Sequence, residues 1–331
     1  MKENLLPSDI QRKRIVKIKD KTNPDFGMNP NDRSIEELID NGLIIIDKPD
    51  GPTSHQVDSW IKNIIGTDKI GHGGTLDPNA TGVLPIGVNR ATRVLPALLS
   101  AGKEYIGVMK LHSDVDEQTI IETCKDFVGR ITQLPPVRSA VKRVRRKRTI
   151  FYLDVLEVDN RNVLFKVGCE SGTYVRTLCV DIGKRLKTRA HLSELRRTRV
   201  GHLIEEDCVI LQDLKDAFVF WKEDKDESNI REIVHPVEYM LRHLPKIIIR
   251  DSAVDAICNG APLAFPGIIE FDEGIKKKDE VAILTLKGEG VAVAKSNFSS
   301  EEFLEHDSGI CAVLQNVIMK KGTYPSFWKK S

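Results

Sequence analysis

The stretch GHGGTLDPNATGVLPIG, from Gly71 to Gly87, carries five glycines and two prolines around a single carboxylate, that of Asp77. Pro78 biases Asp77 away from helical dihedral angles, and the glycines permit left-handed backbone or the close approach of another segment. These residues alone leave three interpretations open. Asp77 is a turn residue bonded to its own backbone, a catalytic carboxylate on a rigid loop, or part of a phosphate-binding loop. The third is disfavoured because the Gly-Lys-Ser/Thr ending of such loops is missing.

The segments on either side of this loop mix strand and helix patterns. Leu43 to Ile46 is a short apolar run that predicts a buried strand, and Ser54 is interpreted as the N-cap of the helix after it. EYIGVMKLH and NVLFKVGCESG predict strands, whereas TYVRTLCVDIGKRL predicts a helix capped by Thr173. Because strands and helices do not alternate regularly, we expect an α+β fold with a mixed, largely antiparallel sheet.

Changes of pattern divide the chain into three predicted parts. Residues 1–34 are polar and rich in turn residues, which predicts an N-terminal arm, and we expect this arm to lie on the C-terminal domain. Residues 35–244 form the predicted α+β domain. Residues 245–325 contain short strands separated by tight glycine turns, which indicates a small β-barrel-like domain.

The composition is that of an ordinary globular protein of 331 residues, with 40% hydrophobic residues, 30% charged residues and a formal net charge of +2. No apolar run reaches the roughly 18 residues of a membrane helix, and the first residues lack the apolar core of a signal peptide. We therefore expect a cytoplasmic protein without membrane contact. The six cysteines are scattered without a Cys-x-x-Cys pair. They are interpreted as reduced, buried apolar side chains, and no metal site is predicted.

Two segments concentrate positive charge. In VRSAVKRVRRKR, seven of the eleven residues from Arg138 to Arg148 are Lys or Arg and none is acidic, and LRRTRVG holds three arginines. Most charged runs are solvated surface, but positive charge this dense is typical of contacts with RNA or DNA, where each Lys or Arg that meets a phosphate releases a counterion. The predicted RNA-binding residues in these segments are Arg138, Lys142, Arg143, Arg145, Arg146 and Arg196.

Six motifs occur in an order that resembles the pseudouridine synthases of the tRNA T-loop and dyskerin type. They are IDKPDGPTSHQV, GHGGTLDPNATGVLPIG, GKEY, LPPVRSAVK, ESGTYVRTLCVDIG and LRRTRVG. Gly74 to Gly82 matches the Gly-x-Leu-Asp-x-x-Ala-x-Gly core of that family. IRDSAVDAICNGAPLAFPGI resembles the opening of a PUA domain, an RNA-binding pseudobarrel, and the segment DFGMNPNDRSIEELIDNGLIIIDKP resembles the archaeal and eukaryotic branch. The chain has no Lys/Glu-rich tail, which favours the archaeal type.

The resemblance implies that this protein converts uridine to pseudouridine in RNA without a cofactor. Such an enzyme breaks the glycosidic bond, turns the base and rejoins it through carbon 5, on a base flipped out of its stack. Asp77 matches the carboxylate that attacks or abstracts a proton. Tyr105 matches the residue that stacks on the flipped base, Arg176 the arginine that pairs with the catalytic carboxylate, and Tyr174 a residue that helps to remove the proton on carbon 5. Without the resemblance, the simpler interpretations are a core tyrosine for Tyr105 and a surface ion pair for Arg176.

Further residues are assigned to substrate or RNA by the same resemblance. Leu195 matches an apolar wall of the base pocket, although its spacing alone indicates core. Lys48 is expected beside the substrate loop, as support for it, and His55 either contacts RNA or makes a local bond at the start of its helix. Gly260 and Ala261 resemble the PUA surface that receives an RNA end.

The implied assembly is an H/ACA guide-RNA particle in which this chain is the catalytic subunit acting on rRNA, with tRNA as a further substrate class. The implied partners are the guide RNA, the substrate RNA, and Gar-type, Nop-type and kink-turn-binding ribosomal-type proteins. A stand-alone tRNA T-loop synthase and a non-catalytic RNA-binding scaffold remain the alternatives. The basic segment from Lys184 to Arg189 departs from the glycine-rich apolar stretch expected there.

Overall fold

The computed structural model describes residues 5–136 and 142–327, which form a ten-stranded sheet, a seven-stranded sheet and surrounding helices. No helix within these two ranges is long and apolar enough to cross a membrane. The strands are, in chain order, β1 (Arg14–Val16), β2 (Gly42–Lys48), β3 (Ile70–His72), β4 (Ala80–Val88), β5 (Lys103–Leu111), β6 (Gly129–Gln133), β7 (Arg146–Asp159), β8 (Asn162–Cys169), β9 (Ala190–Val200), β10 (Leu203–Ile204), β11 (His235–Pro236), β12 (Lys246–Ile249), β13 (Leu263–Ala264), β14 (Ile268–Asp272), β15 (Glu280–Thr285), β16 (Gly290–Ser296) and β17 (Ile310–Val317). The α-helices are α1 (Ile35–Asp40), α2 (Ser54–Ile65), α3 (Leu95–Ser100), α4 (Glu117–Lys125), α5 (Val175–Arg185), α6 (Leu211–Asp224), α7 (Ser228–Ile233), α8 (Asp251–Cys258) and α9 (Glu302–Glu305).

The larger sheet has the strand order β11-β2-β4-β9-β5-β8-β7-β6, with β3 paired to β4 and β10 paired to β9. Its pairs are antiparallel except β4 with β9, which run parallel with Ala80 opposite Leu195. The strands β4 and β9 lie in the interior of this sheet. The loop that precedes β4, which carries Asp77, therefore emerges from the middle of the sheet and not from its edge.

The smaller sheet has the order β1-β14-β12-β15-β16-β17-β13. Its first strand belongs to the N-terminal arm, where Arg14 lies opposite Asp272 and the two side chains form an ion pair at 2.7 Å. The arm also reaches the larger sheet, since Asp9 accepts hydrogen bonds from Arg199 of β9. The arm thus contacts both sheets, while the boundaries of the three predicted parts stay predictions.

One apolar cluster connects the two sheets. Leu43, Val83 and Val200 of the larger sheet are fully buried in the same cluster as Ile248 and Val293 of the smaller one. Each sheet face removes the other from water, which is the main stabilising term in such a contact. The larger and smaller sheets therefore share this cluster, and each also packs in clusters of its own. The predicted α+β class with a largely antiparallel main sheet is confirmed.

Helix α2 buries the apolar face formed by Val57, Ile61 and Ile65. Its N-cap is Thr53, whose hydroxyl accepts from a backbone N–H in the first turn. The prediction that Ser54 is the cap was wrong. Ser54 is the first helical residue, and its buried hydroxyl bonds the backbone of the Asp77 loop instead.

Helix α5 begins one residue later than predicted, whereas α2 begins one residue earlier. Its N-cap position is Tyr174, which makes no side-chain cap, and the hydroxyl of Thr173 donates to the carbonyl of Glu170 at 2.6 Å. The buried face of α5 includes Leu178 and Ile182. The helix is therefore placed by its apolar face and not by a side-chain cap.

Candidate active site

A cavity of about 480 Å³ lies between the Asp77 loop, the start of strand β5, the second half of strand β9 and the start of helix α5. It combines charged groups with apolar and aromatic walls, a mixture typical of ligand sites. The lining residues are Gly74, Thr75, Leu76, Asp77, Ala80, Leu99, Lys103, Tyr105, Ser171, Gly172, Thr173, Tyr174, Val175, Arg176, Leu195 and Arg197. The structure thus brings together the predicted residues Asp77, Tyr105, Tyr174, Arg176 and Leu195.

The carboxylate of Asp77 is paired with the guanidinium of Arg176 inside this cavity. The Nε atom of Arg176 lies 3.0 Å from Oδ2 of Asp77, and its Nη2 donates to Oδ1 at 3.2 Å. Two parallel contacts of this kind fix the carboxylate plane. The side chains remain 49% and 42% exposed, so the pair contributes little to stability. Its geometry positions an anionic oxygen that solvent or substrate can reach.

Lys48 holds the backbone on which Asp77 sits. Its side chain is fully buried, and its ammonium donates to the carbonyls of Pro49, Pro78 and Ala80, each at 2.8 Å. Burial lowers the pKa of Lys48. All three N–H bonds of the ammonium are used, two on the loop at Pro78 and Ala80 and one on the neighbouring Pro49. Lys48 therefore supports the loop and does not line the cavity as a substrate-binding residue.

Two further side chains, for which no contact with this loop was predicted, bind the same loop. The hydroxyl of Ser54 bonds both the N–H and the carbonyl of Leu76, at 3.0 and 3.2 Å. Arg197 donates from Nη2 to the carbonyl of Gly74 at 2.9 Å. Together with Lys48, these donors bind the alternate carbonyls of Gly74, Leu76, Pro78 and Ala80. Hydrogen bonds from these buried side chains therefore fix the loop backbone, while Asp77 lines the cavity.

At two positions of this loop, the backbone conformation requires glycine. Gly74 has φ of +126° and Gly82 has φ of +99°, which are conformations that other residues rarely adopt. A Cβ atom on Gly82 would also overlap the backbone of Arg197, because β4 and β9 pair at these two residues. The glycines allow the loop to enter the sheet interior at this point.

Tyr105 lies opposite Arg197 across the β5–β9 pair. Its ring is 8% exposed, belongs to the apolar core around Leu76 and lines the cavity. Burial raises the pKa of the Tyr105 hydroxyl, and the side chain of Arg197 interacts with that hydroxyl. Tyr105 is consequently neutral and fixed, with its ring available as an apolar wall.

Lys103 is, like Arg197, a buried basic residue that lines the cavity, and it was not predicted as a site residue although GKEY contains it. Its ammonium donates to the carbonyl of Ala101 at 3.0 Å and to the hydroxyl of Ser171 at 3.2 Å. It thereby connects the segment before β5 with the loop before α5. Burial and the neighbouring Arg197 lower the pKa of Lys103 to about 7.

Tyr174 and Leu195 complete the walls. The backbone of Tyr174 is held from both sides by Gln133, whose amide accepts from its N–H at 3.0 Å and donates to its carbonyl at 3.2 Å. Leu195 on β9 is half-buried against the same core as Tyr105. Both residues line the cavity.

The predicted RNA-binding residues divide into three groups. Arg138 lies outside the described residues. Lys142, Arg143, Arg145 and Arg146 lie at the start of β7 or in the segment before it, and all but the half-buried Arg146 are exposed. Arg196 is instead paired internally, with both terminal nitrogens on the carboxylate of Asp47 at 2.9 and 3.0 Å and Nε on Glu205.

The remaining predicted contacts lie away from the cavity. Gly260 is exposed just after α8 with φ of +96°, and its Cβ position is open, so the backbone there can be approached closely. Ala261 follows it, with its N–H bound to the carbonyl of Ala256. His55 lies in the first turn of α2 with an exposed ring and its Nδ1 atom 3.8 Å from the carboxylate of Asp58. It makes the local contact and does not line the cavity.

Comparison with known proteins identifies the family to which this chain belongs. Residues 62–175 match the family model described as the TruB family pseudouridylate synthase N-terminal domain, and residues 176–242 match the tRNA pseudouridylate synthase B C-terminal domain. Residues 245–318 match the PUA domain, and residues 3–58 match the DKCLD domain. A probable tRNA pseudouridine synthase B of Methanopyrus kandleri is 52% identical over 99% of this chain and 97% of its own length. The chain belongs to the TruB family of pseudouridylate synthases. A relative from Pyrococcus furiosus with the same description is 51% identical, covering 98% of this chain and 96% of that protein.

Solved structures agree with the family. A chain of a Cbf5-Nop10-Gar1 complex matches with a TM-score of 0.94 and 50% identity, covering 98% of this chain and 99% of that chain. A chain of an H/ACA ribonucleoprotein bound to a substrate RNA containing 2'-deoxyuridine matches with a TM-score of 0.92 and 48% identity, covering 98% and 100%. This TruB-family chain is a pseudouridine synthase of the TruB/Cbf5 type with a C-terminal PUA domain, as the sequence motifs predict.

Proposed function

We propose that this chain is the catalytic subunit of an H/ACA guide-RNA particle that converts uridine to pseudouridine in rRNA, with Asp77 as the reacting carboxylate. The observation that supports this role most strongly is the geometry of Asp77. Its carboxylate is oriented by Arg176 at 3.0 and 3.2 Å, on a loop whose carbonyls are bound by buried donors. A carboxylate oriented in this way acts from a fixed position.

The reaction needs few groups, and the cavity supplies them. Uridine and pseudouridine contain the same atoms, so there is no net oxidation and the chain needs no cofactor for it. The bond from the ribose carbon 1' to nitrogen 1 breaks and a bond from carbon 1' to carbon 5 forms. Carbon 5 loses its proton and nitrogen 1 gains one, so the step balances. Asp77 is placed to attack or to accept a proton, while Arg176 balances its charge and keeps its orientation.

The apolar walls suit a base that must turn over. The uridine has to leave its stack to reach Asp77, and the cavity of about 480 Å³ provides a site for it. The ring of Tyr105 offers a face that accepts either side of the pyrimidine, and Leu195 contacts the base without directional bonds. Tyr174 is proposed to assist removal of the carbon 5 proton from its position beside Arg176.

The assembly is proposed from the similar structures, in which chains of this fold occur with Nop10, Gar1 and substrate RNA. We expect proteins of the Nop and Gar types to bind this chain, with a guide RNA that selects the substrate by base pairing. A kink-turn-binding ribosomal-type protein and a cytoplasmic location stay predictions. RNA contacts are expected at the exposed basic segment that begins at Lys142 and at the open backbone of Gly260 and Ala261.

The curated relatives favour a second candidate, because they are described as probable tRNA pseudouridine synthases. One assay separates the candidates. Pseudouridine formation is measured in a bare tRNA and in a short target supplied with guide RNA and partner proteins. Activity only with the guide supports the particle, and equal activity on bare tRNA supports a stand-alone synthase. If no pseudouridine forms in either RNA although RNA binds tightly, the chain is a non-catalytic scaffold.

The role of Asp77 has its own test. The Asp77→Asn variant keeps the shape of the side chain but loses the anionic oxygen, so it should bind RNA and form no pseudouridine. Asp68→Asn is the matched control, because Asp68 is fully exposed and lies away from the cavity. Retained activity in Asp77→Asn, or an equal loss in Asp68→Asn, would contradict the assignment.

A further inference from the structure

Three potential metal ligands meet beside the Asp77 loop. His55 and Asp58 lie one turn apart on α2, and His72 ends strand β3. The carboxylate oxygen Oδ2 of Asp58 is 2.7 Å from Nδ1 of His72 and 3.8 Å from Nδ1 of His55. The two imidazole rings meet edge to face, with their centroids 5.1 Å apart. One nitrogen or oxygen from each side chain lies within 4.8 Å of the others.

These positions follow from the fold. The spacing of three residues places His55 and Asp58 on the same face of the helix. Strand β3 pairs with β4 so that His72 lies opposite Ile86, which brings its ring against that face. Metal–nitrogen and metal–oxygen distances of about 2.0–2.2 Å require donors about 3–4 Å apart. Oδ2 of Asp58 lies 2.7 and 3.8 Å from the two Nδ1 atoms, which is close to this spacing.

A second observation concerns the other oxygen of Asp58. Its Oδ1 atom is buried and has no hydrogen-bond partner within the two described ranges. An unsatisfied buried acceptor is costly, and it is most costly when it carries charge. A cation bound at this carboxylate would remove that cost, either directly or through a water that it holds.

We propose that His55, Asp58 and His72 form a site for one divalent transition-metal ion of the Zn²⁺ class. Two imidazoles and one carboxylate are a suitable donor set for Zn²⁺, and Co²⁺ and Ni²⁺ fit the same ligands. Three protein ligands leave a fourth position for water. The exposed ring of His55 leaves an entry path from solvent.

The other nitrogen of His72 gives the site a connection to the catalytic loop. Nε2 of His72 lies 3.0 Å from the hydroxyl of Thr75, two residues before Asp77. Because a carboxylate only accepts hydrogen bonds, Nδ1 of His72 is assigned the proton shared with Asp58, and Nε2 of the neutral ring then accepts from Thr75. A metal on Nδ1 fixes the proton on Nε2, and Thr75 then accepts. Metal binding thus reverses this hydrogen bond without displacing the loop.

The test measures binding of Zn²⁺ itself, by titration calorimetry and by competition with a chromophoric chelator. The wild-type chain should bind one Zn²⁺ per molecule, and Co²⁺ should give a visible spectrum at the same stoichiometry. Asp58→Asn should weaken the affinity at least tenfold, since even residues behind the ligands have effects of about 10–100-fold. His55→Ala should weaken it similarly, and its exposed position keeps that variant folded.

A second histidine pair provides the control. His112 and His191 also meet edge to face at 5.1 Å, with Nε2 and Nδ1 2.9 Å apart. Among the described residues, this pair belongs to no group of three or more potential ligands. His191→Ala should therefore keep the wild-type stoichiometry and affinity. Loss of binding in His191→Ala, full binding in Asp58→Asn, or no stoichiometric binding by the wild type would each overturn the proposal.

Discussion

Two arginine-rich segments of similar composition have opposite positions in the fold. The segment from Lys142 to Lys147 projects along the start of β7, and most of its side chains are exposed. The segment from Arg196 to Arg199 lies on β9 in the interior of the larger sheet. Arg197 there is 1% exposed and donates to the carbonyls of Val83 and Gly74 at 2.7 and 2.9 Å.

The difference follows from the place of each strand. Strand β9 has β4 on one side and β5 on the other, so its arginines must find partners within the protein. Arg196 binds Asp47 and Glu205, and Arg199 binds Asp9 of the arm. By contrast, β7 begins beside the edge strand β6, where water solvates the charges. Dense positive charge in a sequence therefore predicts an RNA surface only where the strand leaves room for one.

The largest effect is expected at Arg197. Arg197→Met keeps the volume but leaves the buried carbonyls of Gly74 and Val83 without donors, which costs roughly 1–3 kcal/mol each. We expect the free energy of unfolding to fall by about 3 kcal/mol and pseudouridine formation to be lost, because the Asp77 loop is no longer held. Urea unfolding and the pseudouridine assay measure the two effects.

Arg145→Met is the control from the exposed segment. Its side chain is exposed, so stability should change by less than about 0.5 kcal/mol. If Arg145→Met and Arg197→Met lowered the free energy of unfolding equally, the distinction between an exposed and a buried arginine segment would be wrong.

The sequence predicts the Asp77 loop well and the role of the second arginine segment poorly. The glycines and Pro78 restrict the local backbone, and ordered motifs identify the partners of Asp77, so that part depends mainly on local chemistry. The positions of Arg196 and Arg197 depend on the parallel pairing of β4 with β9, which joins residues more than a hundred apart. No local pattern encodes that pairing, although the alternation of side chains along a strand indicates that neighbouring arginines face opposite sides.

The same reason explains the missed supports. Ser54 fits the pattern of a helix cap, yet Thr53 takes that position and Ser54 bonds Leu76 across the fold. Lys103 sits in a recognised motif, but its contacts to Ala101 and Ser171 require two loops to meet. The side chains that bind the loop carbonyls are brought there by tertiary contacts, so the local sequence does not predict them. The conformation of the loop is determined mainly by its own glycines and proline.

A second prediction concerns Lys103, the buried cation beside Arg197. Its pKa is about 7 in the folded chain and about 10.4 in an unfolded one. Between these values the unfolded chain binds the proton that the folded chain has released, so stability from this group rises with pH and is lost as pH falls towards 7. The difference in free energy of unfolding between wild type and Lys103→Met should shift in favour of wild type by about 1 kcal/mol per pH unit from pH 7 to 9.

Denaturant unfolding of both proteins at pH 6, 7, 8 and 9 checks this. Other titrating groups cancel in the difference, which should be flat below pH 6. A difference that stays constant from pH 6 to 9 would mean that Lys103 keeps its proton, held by its carbonyl acceptors.

Arg196 should show a smaller effect than Arg197, because it is partly exposed. Arg196→Gln removes a bidentate contact with Asp47 and the contact with Glu205, and leaves two carboxylates facing each other. We expect a loss of about 1 kcal/mol in the free energy of unfolding, near the upper range for surface ion pairs. The double-mutant cycle with Asp47→Asn measures the coupling. No coupling would mean that the contact with Asp47 does not stabilise the fold.

The exposed segment should give the smallest change in stability and a clear change in RNA binding. Replacing Lys142, Arg145 and Lys147 by Gln removes three exposed charges, so we expect a change below about 0.5 kcal/mol in the free energy of unfolding. If all three meet phosphates, the slope of log affinity against log salt should fall by about 2 to 3. Filter binding of an RNA at several salt concentrations measures this slope.

A charge-matched triple variant makes this comparison specific. Three lysines of helix α6 and its C-cap carry the same total charge away from β7. They are Lys215, Lys222 and Lys225. Their replacement by Gln should leave the salt slope nearly unchanged, because net charge at a distance is screened within about 10 Å at 0.1 M salt. An equal loss of affinity in both triple variants would mean that RNA responds to net charge alone, and the distinction between the two arginine-rich segments would then concern folding but not RNA recognition.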